Sequence, residues 1–217
     1  MIINQIKQSL YETVLKLTSK GLNHGATGNC SCRDGNTFLI TPSGIDNNDL
    51  TPDMMVRMDF GGTVIYENHN LQPSSEWRFH KEILEKKEKI NAVVHTHSIF
   101  ASTISLFGVD IPAFHYMIAV AGGDSIRCAP YAMFGTQVLS DRILKALDGR
   151  KACLIANHGL VAIGKDLDEA FLIAEEIEHL SRLYIEAKKI GAPNLLNKKE
   201  MTEVIKRFGS YGNWSKD

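Results

Sequence analysis

The stretch Asn91-Ala92-Val93-Val94-His95-Thr96-His97 decides the fold that we expect for this chain. Its first half is apolar and partly β-branched, a composition typical of a short buried strand. Side chains at positions i and i+2 of a strand point to the same face, so His95 and His97 are predicted to converge at the end of that strand. Two imidazoles held in this way can occupy two corners of a tetrahedral metal site.

A third histidine has a similar setting. His158 lies in Ala156-Asn157-His158-Gly159 and follows an apolar run that starts at Cys153. A single histidine at a strand end is more often a hydrogen-bonded core residue than a ligand, and the spacing leaves both interpretations open. If these histidines bind a metal with a carboxylate, zinc is favoured, with manganese, cobalt and iron as alternatives.

A carboxylate candidate stands at the start of a predicted helix, in Pro73-Ser74-Ser75-Glu76-Trp77. A serine N-cap followed by a carboxylate in the first turn is good capping chemistry, so Glu76 has a structural interpretation. Its functional interpretation is a metal ligand or a catalytic base. The same helix start suits a phosphate group beside Ser74 and Ser75. His80, one turn further on, could contact Glu76, but it is predicted to occupy an ordinary helical position.

Length and composition exclude several classes of protein. The chain has 217 residues, 44% of them hydrophobic and 23% charged, with a formal net charge of -1, so we expect no dedicated nucleic-acid surface. The first residues do not resemble a signal peptide, and no apolar run approaches the roughly 20 residues that span a bilayer. The spacing of Cys30 and Cys32 does not suit a zinc or redox pair, and the four cysteines are interpreted as reduced residues of a cytoplasmic protein.

Apolar periodicity predicts the order of helices and strands. Helices are predicted at 6–20, from Trp77 onward, and at 99–107, 137–147, 167–190 and 201–208. Strands are predicted at 30–33, 37–41, 54–58, 63–66, 92–94, 126–129, 153–156 and 160–163. We found no repeat or linker, so we expect one domain over residues 1–217, of the α/β class with a mixed or antiparallel sheet.

These motifs resemble the class II aldolase and adducin family, and within it the aldolases of L-fuculose 1-phosphate. The similarity runs nearly end to end and keeps its order. The motifs that carry it are Gly21-Leu22-Asn23, Gly28-Asn29, Ile40-Thr41-Pro42-Ser43-Gly44-Ile45, Pro73 to His80, Asn91 to His97, Ile111 to Ala119, Ala121-Gly122-Gly123, Cys128 to Ala132, Phe134-Gly135-Thr136 and His158-Gly159-Leu160.

The resemblance implies a central, mainly antiparallel sheet flanked by helices and one zinc ion per subunit. The implied zinc ligands are His95, His97, His158 and, when substrate is absent, Glu76, which also acts as acid and base. A phosphate pocket is implied at Asn29, Ser43, Gly44, Ser74 and Ser75. The glycine-rich loop before it leaves open which hydroxyl, that of Thr27 or of a neighbour, contacts phosphate.

Two tyrosines complete the implied active site. Tyr116 corresponds to a catalytic tyrosine presented by a neighbouring subunit of a cyclic homotetramer, and Tyr211, in a mobile tail at 209–217, helps to close the site. The implied reaction cleaves L-fuculose 1-phosphate, or a 5-deoxypentulose 1-phosphate or 5-methylthioribulose 1-phosphate, to dihydroxyacetone phosphate and a short aldehyde. The partner is therefore a small sugar phosphate, without nucleic acid or membrane.

Two alternatives stay open at this point. The segment His95-Thr96-His97-Ser98 also resembles sugar-phosphate decarboxylases and dehydratases of the same family. A non-enzymatic adducin-like module is the other alternative, although such a module need not keep all four metal-binding residues. His115-Tyr116-Met117 and Tyr211 favour the aldolases over the other enzymes.

Overall fold

A computed structural model describes residues 3–66 and 71–208 of the chain. In this part of the chain eight strands form one sheet with the order β4-β3-β2-β1-β5-β8-β7-β6. The strands are β1 (Asn29–Asp34), β2 (Thr37–Ile40), β3 (Val56–Asp59), β4 (Val64–Ile65), β5 (Ala92–Thr96), β6 (Arg127–Ala129), β7 (Ala152–Ile155) and β8 (Gly159–Gly164). Every neighbouring pair is antiparallel except β6 and β7, so the predicted mainly antiparallel sheet is confirmed.

The central position of β5 explains where the functional residues meet. It pairs with β1 on one side, where Asn29 lies opposite His95, and with β8 on the other, where Leu160 lies opposite Thr96. All five residues of β5 are buried, as its apolar composition predicts. The start of β1, the end of β5 and the start of β8 therefore lie side by side at one end of the sheet.

Within the described ranges, six α-helices and two short 3-10 helices cover the two faces of the sheet. The helices are α1 (Ile3–Ser19), α2 (Trp77–Lys86), α3 (Ile99–Ser105), α4 (Gln137–Ala146), α5 (Leu167–Ile190) and α6 (Lys198–Phe208), with 3-10 turns at Pro52–Met54 and Tyr116–Ala121. One core cluster joins α1, α3, α5 and α6 to one face, and a second joins α2 and α4 to the other. No helix in the described ranges meets the length and hydropathy that a membrane span requires.

Most predicted elements are confirmed to within a few residues, and α5 is predicted with both ends correct. The prediction for the start of α2 was wrong in one respect, because no serine caps this helix. The N-cap position belongs to Glu76, which makes no side-chain capping bond. The Ser74 hydroxyl instead accepts a hydrogen bond from the Glu76 backbone N–H at 3.3 Å. The carboxylate of Glu76 is thus turned away from its own helix.

The cysteines agree with the sequence interpretation as buried or half-buried thiols. All four are free, and Cys30, Cys32 and Cys153 lie in the core. Burial raises the pKa of the Cys30 thiol to about 12, which keeps it protonated and unreactive at neutral pH.

A carboxylate from α5 anchors the helix that follows the histidine strand. Glu178 accepts the backbone N–H groups of Phe100 and Ala101 at 2.9 and 2.8 Å, and so satisfies two donors in the first turn of α3. We expect Glu178→Ala to lower the free energy of unfolding by about 1–2 kcal/mol. Urea unfolding measures this change, with Glu176→Ala on the same helix as the control. Equal stability of the two variants would contradict the capping role.

Candidate metal centre

Glu76, His95, His97 and His158 meet at the end of the sheet where β1, β5 and β8 lie side by side. One ligand atom from each of these four side chains lies within 4.8 Å of every other. The Nε2 atom of His95 is 3.0 Å from Nε2 of His97 and 3.1 Å from Oε2 of Glu76, and Oε1 of Glu76 is 3.2 Å from Nε2 of His158. The structure therefore brings together the four residues that the sequence singled out.

Backbone contacts orient the three imidazoles. The Nδ1–H group of His95 donates to the Leu160 carbonyl at 2.9 Å, which leaves Nε2 bare and directed at the other ligands. The backbone N–H of His97 donates to Oδ1 of Asn23 at 3.2 Å, just after β5 ends. His158 follows Asn157, whose φ of 55° makes the tight turn between β7 and β8. The convergence predicted from the i, i+2 spacing is confirmed.

The electrostatics of the group favour an ionised carboxylate at Glu76 and neutral rings at His97 and His158. Burial would raise the pKa of Glu76, but His95, His158 and the amide of Asn29 together hold it well below its usual range. Burial, together with the charge of His95, lowers the pKa of His97 to about 3 and that of His158 to about 4. Burial opposes protonation of His95, whereas its contact with Glu76 raises its pKa.

The donor set fits a divalent metal ion. His95 and His97 point two Nε2 atoms at each other, and Oε1 of Glu76 is buried with no hydrogen-bond partner in the described part of the chain. Converging lone pairs and a buried, unpaired carboxylate oxygen are costly unless a cation lies between them. Three imidazoles and one carboxylate are a common ligand set for zinc and for other first-row metals.

A cleft of about 380 Å³ adjoins Glu76, His97 and His158. Its other lining residues combine aromatic and polar side chains and are Ser75, Tyr131, Ala132, Phe134 and Asn157. Tyr131 and Phe134 are 53% and 58% exposed. A small molecule in this cleft would contact the ligand group on one side and a partly apolar wall on the other.

The predicted phosphate-binding residues lie on adjoining segments. The loop that holds Ser43 and Gly44 is joined to the loop that holds Ser74 and Ser75 by two backbone hydrogen bonds, Ser43 N–H to Gln72 O at 2.9 Å and Ser74 N–H to Thr41 O at 3.0 Å. Ser43, Gly44 and Ser75 are exposed, whereas Ser74 is buried.

Two further members of the expected pocket already have partners within the chain. Asn29 is buried and its amide contacts Glu76. The hydroxyl of Thr27 donates to the His24 carbonyl at 2.6 Å inside its own loop. The phosphate pocket stays a prediction, and the contact of Thr27 does not favour its hydroxyl as a phosphate ligand.

The predicted catalytic tyrosines are not part of this cluster. Tyr116 begins a 3-10 helix that packs against α5 and α6, on the sheet face opposite α2, and it is 51% exposed. It does not line the cleft beside Glu76. Tyr211 and the predicted tail at 209–217 lie outside the described residues. Both catalytic roles stay predictions.

Sequence reasoning missed the environment of His80. It was predicted to occupy an ordinary helical position, but its side chain is fully buried and contacts Asn29 and Ser31. The available signal was a polar ring among the apolar residues Phe79, Ile83 and Leu84 on the buried side of α2. A buried histidine needs hydrogen-bond partners, and those partners lie about 50 positions away in the sequence.

A glycine in the loop before β1 permits the contact that fixes His97. A Cβ atom on Gly28 would collide with the side chain of Asn23, which accepts the His97 backbone N–H. We expect Gly28→Ala to displace Asn23 and to weaken metal binding by about 10-fold or more. Gly21→Ala is the matched control, because Gly21 has the same φ of +70° and no atom within 4 Å of an added Cβ. Metal titration of both variants checks this, and equal affinities would contradict it.

The chain is similar to known proteins along most of its length. The family model for class II aldolase and adducin N-terminal domains matches residues 8–185. The chain is 44% identical over 207 residues to a 5-methylthioribulose-1-phosphate/5-deoxyribulose-1-phosphate aldolase of Rhodospirillum rubrum, with 95% of this chain and 92% of the relative covered. It is 42% identical over 210 residues to the L-fuculose phosphate aldolase of Escherichia coli K12, with 96% of each chain covered.

A solved structure of an L-fuculose 1-phosphate aldolase is similar along nearly its whole length. The TM-score is 0.90 at 38% sequence identity, and the superposition covers 94% of this chain and 96% of that one.

Proposed function

The chain belongs to the family of class II aldolases and adducin N-terminal domains and is an aldolase, and we propose that it reversibly cleaves a deoxyketose 1-phosphate to dihydroxyacetone phosphate and a short aldehyde. The candidates are L-fuculose 1-phosphate, 5-deoxyribulose 1-phosphate and 5-methylthioribulose 1-phosphate, which share the dihydroxyacetone phosphate half. The observation that carries this proposal is the group of Glu76, His95, His97 and His158 beside a cleft.

Zinc is the metal that we propose for this centre, one ion per subunit. The choice rests on three imidazole nitrogens and one carboxylate oxygen within 4.8 Å of one another. When bound, a divalent ion supplies Lewis-acid stabilisation of the negative charge that develops on the substrate oxygens.

Glu76 is the proposed acid and base. In the direction of C–C bond formation its carboxylate removes a proton from the hydroxyl-bearing carbon of dihydroxyacetone phosphate. The C–H bond breaks, and its electron pair forms the new bond to the aldehyde carbon. The proton ends on the aldehyde oxygen, which becomes a hydroxyl group, and cleavage is the reverse. The buried carboxylate is ionised at neutral pH and can therefore accept a proton, but the contacts with His95, His158 and Asn29 that lower its pKa also weaken it as a base until substrate alters them.

The substrate phosphate is proposed to bind the two joined loops and Asn29. Ser43, Gly44 and Ser75 are exposed, Ser74 is buried, and Ser75 lines the cleft. Hydroxyl and backbone N–H groups are suitable donors to a phosphate. Binding there would orient the rest of the substrate toward Glu76 and so convert binding energy into positioning.

A homotetramer with active sites at its subunit interfaces is proposed from exposed apolar side chains. Four large apolar side chains are between 57% and 75% exposed, namely Ile99, Phe107, Met133 and Phe134. Exposed apolar surface of this kind often marks a protein–protein interface. In such an assembly Tyr116 of a neighbouring subunit would exchange the proton at the aldehyde oxygen, and Tyr211 would close the site. Light scattering should give four times the mass of one chain, and a monomer at working concentration would contradict this assembly.

The whole chain, residues 1–217, is proposed to act as one catalytic domain. All four metal-binding residues and both loops of the phosphate pocket belong to one continuous sheet and its connections. The cytoplasmic location stays a prediction.

A coupled assay for dihydroxyacetone phosphate tests the proposed function. The three candidate substrates are offered side by side to the zinc-loaded protein, each with and without a chelator. Chelator-sensitive release is the expected result, and the order of the rates ranks the aldehyde halves. Absence of release from all three, with zinc verified in the protein, would contradict the proposal. Release of carbon dioxide or loss of water would then identify a decarboxylase or a dehydratase.

A further inference from the structure

A chain of hydrogen bonds runs from Ser31 through His80 and Asn29 to Glu76, behind the metal centre. The Ser31 hydroxyl lies 2.8 Å from Nδ1 of His80, and Nε2 of His80 contacts Oδ1 of Asn29. The Nδ2 atom of Asn29 lies 3.0 Å from Oε2 of Glu76. Ser31 and His80 are completely buried, and Asn29 and Glu76 are each 6% exposed, so water does not compete for these bonds.

Only one arrangement of protons satisfies every bond in this chain. A carboxylate can only accept, so Nδ2 of Asn29 must donate to Glu76. The carbonyl oxygen of the same amide then faces His80 and can only accept, so the imidazole proton must be on Nε2. Nδ1 is therefore bare and accepts the proton of the Ser31 hydroxyl. All three donors point toward Glu76.

The setting of the ring supports this arrangement. Burial, with a further contribution from His95, lowers the pKa of His80 to about 3, so the ring is neutral at pH 7 and carries one proton. The ring also stacks on Phe79, with centroids 4.5 Å apart and planes 24° from parallel. Packing thus fixes the plane of the imidazole, the Asn29 carbonyl requires the proton on Nε2, and the Ser31 hydroxyl donates to the bare Nδ1.

We propose that Ser31 and His80 are positioning residues that act through Asn29 on Glu76. They hold the Asn29 amide with its N–H toward Oε2 of Glu76, which leaves Oε1 as the oxygen that takes and returns the substrate proton. The role assigned to Oε1 rests on the proposed function. Oε1 makes no hydrogen bond among the residues described and lies 3.2 Å from Nε2 of His158, so it can take the substrate proton when it is not bound to the metal.

Loss of the His80 donor would remove the hydrogen bond that holds the Asn29 amide in this orientation. The carbonyl oxygen of Asn29 would then be buried without a donor, and the amide would lose one of the two bonds that hold it in place. An unsatisfied buried acceptor is costly, so the amide, and the carboxylate that it contacts, would shift from their present orientation. Removing a side chain that hydrogen-bonds to a metal ligand commonly lowers metal affinity or activity by about 10–100-fold.

Two variants of His80 separate hydrogen bonding from packing. His80→Phe keeps an aromatic ring against Phe79 but has no donor for Asn29. His80→Gln offers an amide N–H that can reach the position of Nε2. We expect His80→Phe to lower kcat and zinc affinity by about 10–100-fold with KM changed less than about threefold, and His80→Gln to recover most of both losses. Zinc affinity is measured by competition with a chromogenic chelator.

A matched pair of serines tests the far end of the chain. Ser31 and Ser181 are both completely buried and each makes one side-chain hydrogen bond, but Ser181 bonds to the Ile177 carbonyl within α5. Ser31→Ala is expected to lower zinc affinity and kcat, and Ser181→Ala is expected to leave both unchanged. Equal effects of the two changes would overturn the positioning role of Ser31.

Three other results would also overturn the proposal. The first is wild-type kcat and zinc affinity in His80→Phe. The second is a rise in KM alone, since that would assign the chain to the phosphate pocket through Asn29. The third is a loss in His80→Gln as large as in His80→Phe, because the bond to Asn29 would then be irrelevant.

A measurement on the unmodified holoenzyme does not depend on whether a variant folds. In protein labelled with ¹⁵N-histidine, His80 should show one slowly exchanging proton on Nε2 and a bare Nδ1. The signal is assigned by its absence in His80→Gln or, if that variant does not fold, by its contact with Phe79. A proton on Nδ1 would overturn the proposed direction of the chain. Because zinc affinity and this spectrum do not need turnover, failure of the aldolase assay alone would reject the proposed function and not the hydrogen-bond chain.

Discussion

Replacing Glu76 by glutamine is expected to lower kcat for aldol cleavage by about 10²–10⁴-fold while the fold is retained. Glutamine has nearly the same shape as glutamate, but its amide cannot take a proton from carbon. The side chain is 8% exposed, so water cannot readily substitute for the missing base. The acceptor of the Asn29 amide can be kept by the glutamine oxygen, which preserves the packing around it.

The measurement is kcat and KM at saturating zinc, with metal content determined by elemental analysis and the fold checked by thermal unfolding. Glu178→Gln is the control, because it removes the charge of another partly buried carboxylate that binds backbone N–H groups away from the metal centre. Its turnover should be close to that of the unmodified protein. Wild-type kinetics in the Glu76→Gln protein would contradict the acid and base role.

The second large effect is expected from His95→Ala, which should weaken metal binding by at least about 100-fold. Loss of a group that only supports a ligand typically costs 10–100-fold, and loss of a ligand should exceed that range. His95 is the central member of the group, since its Nε2 atom contacts both His97 and Glu76. Its removal also leaves the Leu160 carbonyl without its imidazole donor and opens a cavity in a fully buried position.

Elemental analysis after dialysis gives the metal content, and thermal unfolding gives an independent readout. Added zinc should raise the melting temperature of the unmodified protein and leave that of His95→Ala nearly unchanged, because a ligand stabilises only the state that binds it. His179→Ala, at an exposed position of α5, should behave as the unmodified protein. Full zinc retention after dialysis in the His95→Ala protein would contradict the ligand assignment.

The sequence was sufficient for most elements of the fold, for the four residues of the candidate metal centre and for the family. Each helix or strand buries one face, and this places apolar residues at a regular spacing along the chain. Such a spacing is a local pattern, so it can be recognised without knowing the tertiary structure. The convergence of His95 and His97 was predictable for the same reason, because a strand places residues i and i+2 on one face whatever surrounds it. For Glu76 the sequence left two interpretations open, a residue that stabilises its helix start and a metal ligand or base, and the structure shows its carboxylate among the three histidines.

The tertiary structure alone decided which distant residues act together. The antiparallel pairing of β1 with β5 sets Asn29 opposite His95, and the packing of α2 on the same face brings His80 to Asn29. Strand order and register are set by the packing of the whole sheet, so no local pattern in α2 could assign partners 49 and 51 positions away to His80. Short spacings can thus indicate a candidate metal centre, whereas the hydrogen bonds that orient its side chains depend on contacts that exist only after the chain has folded.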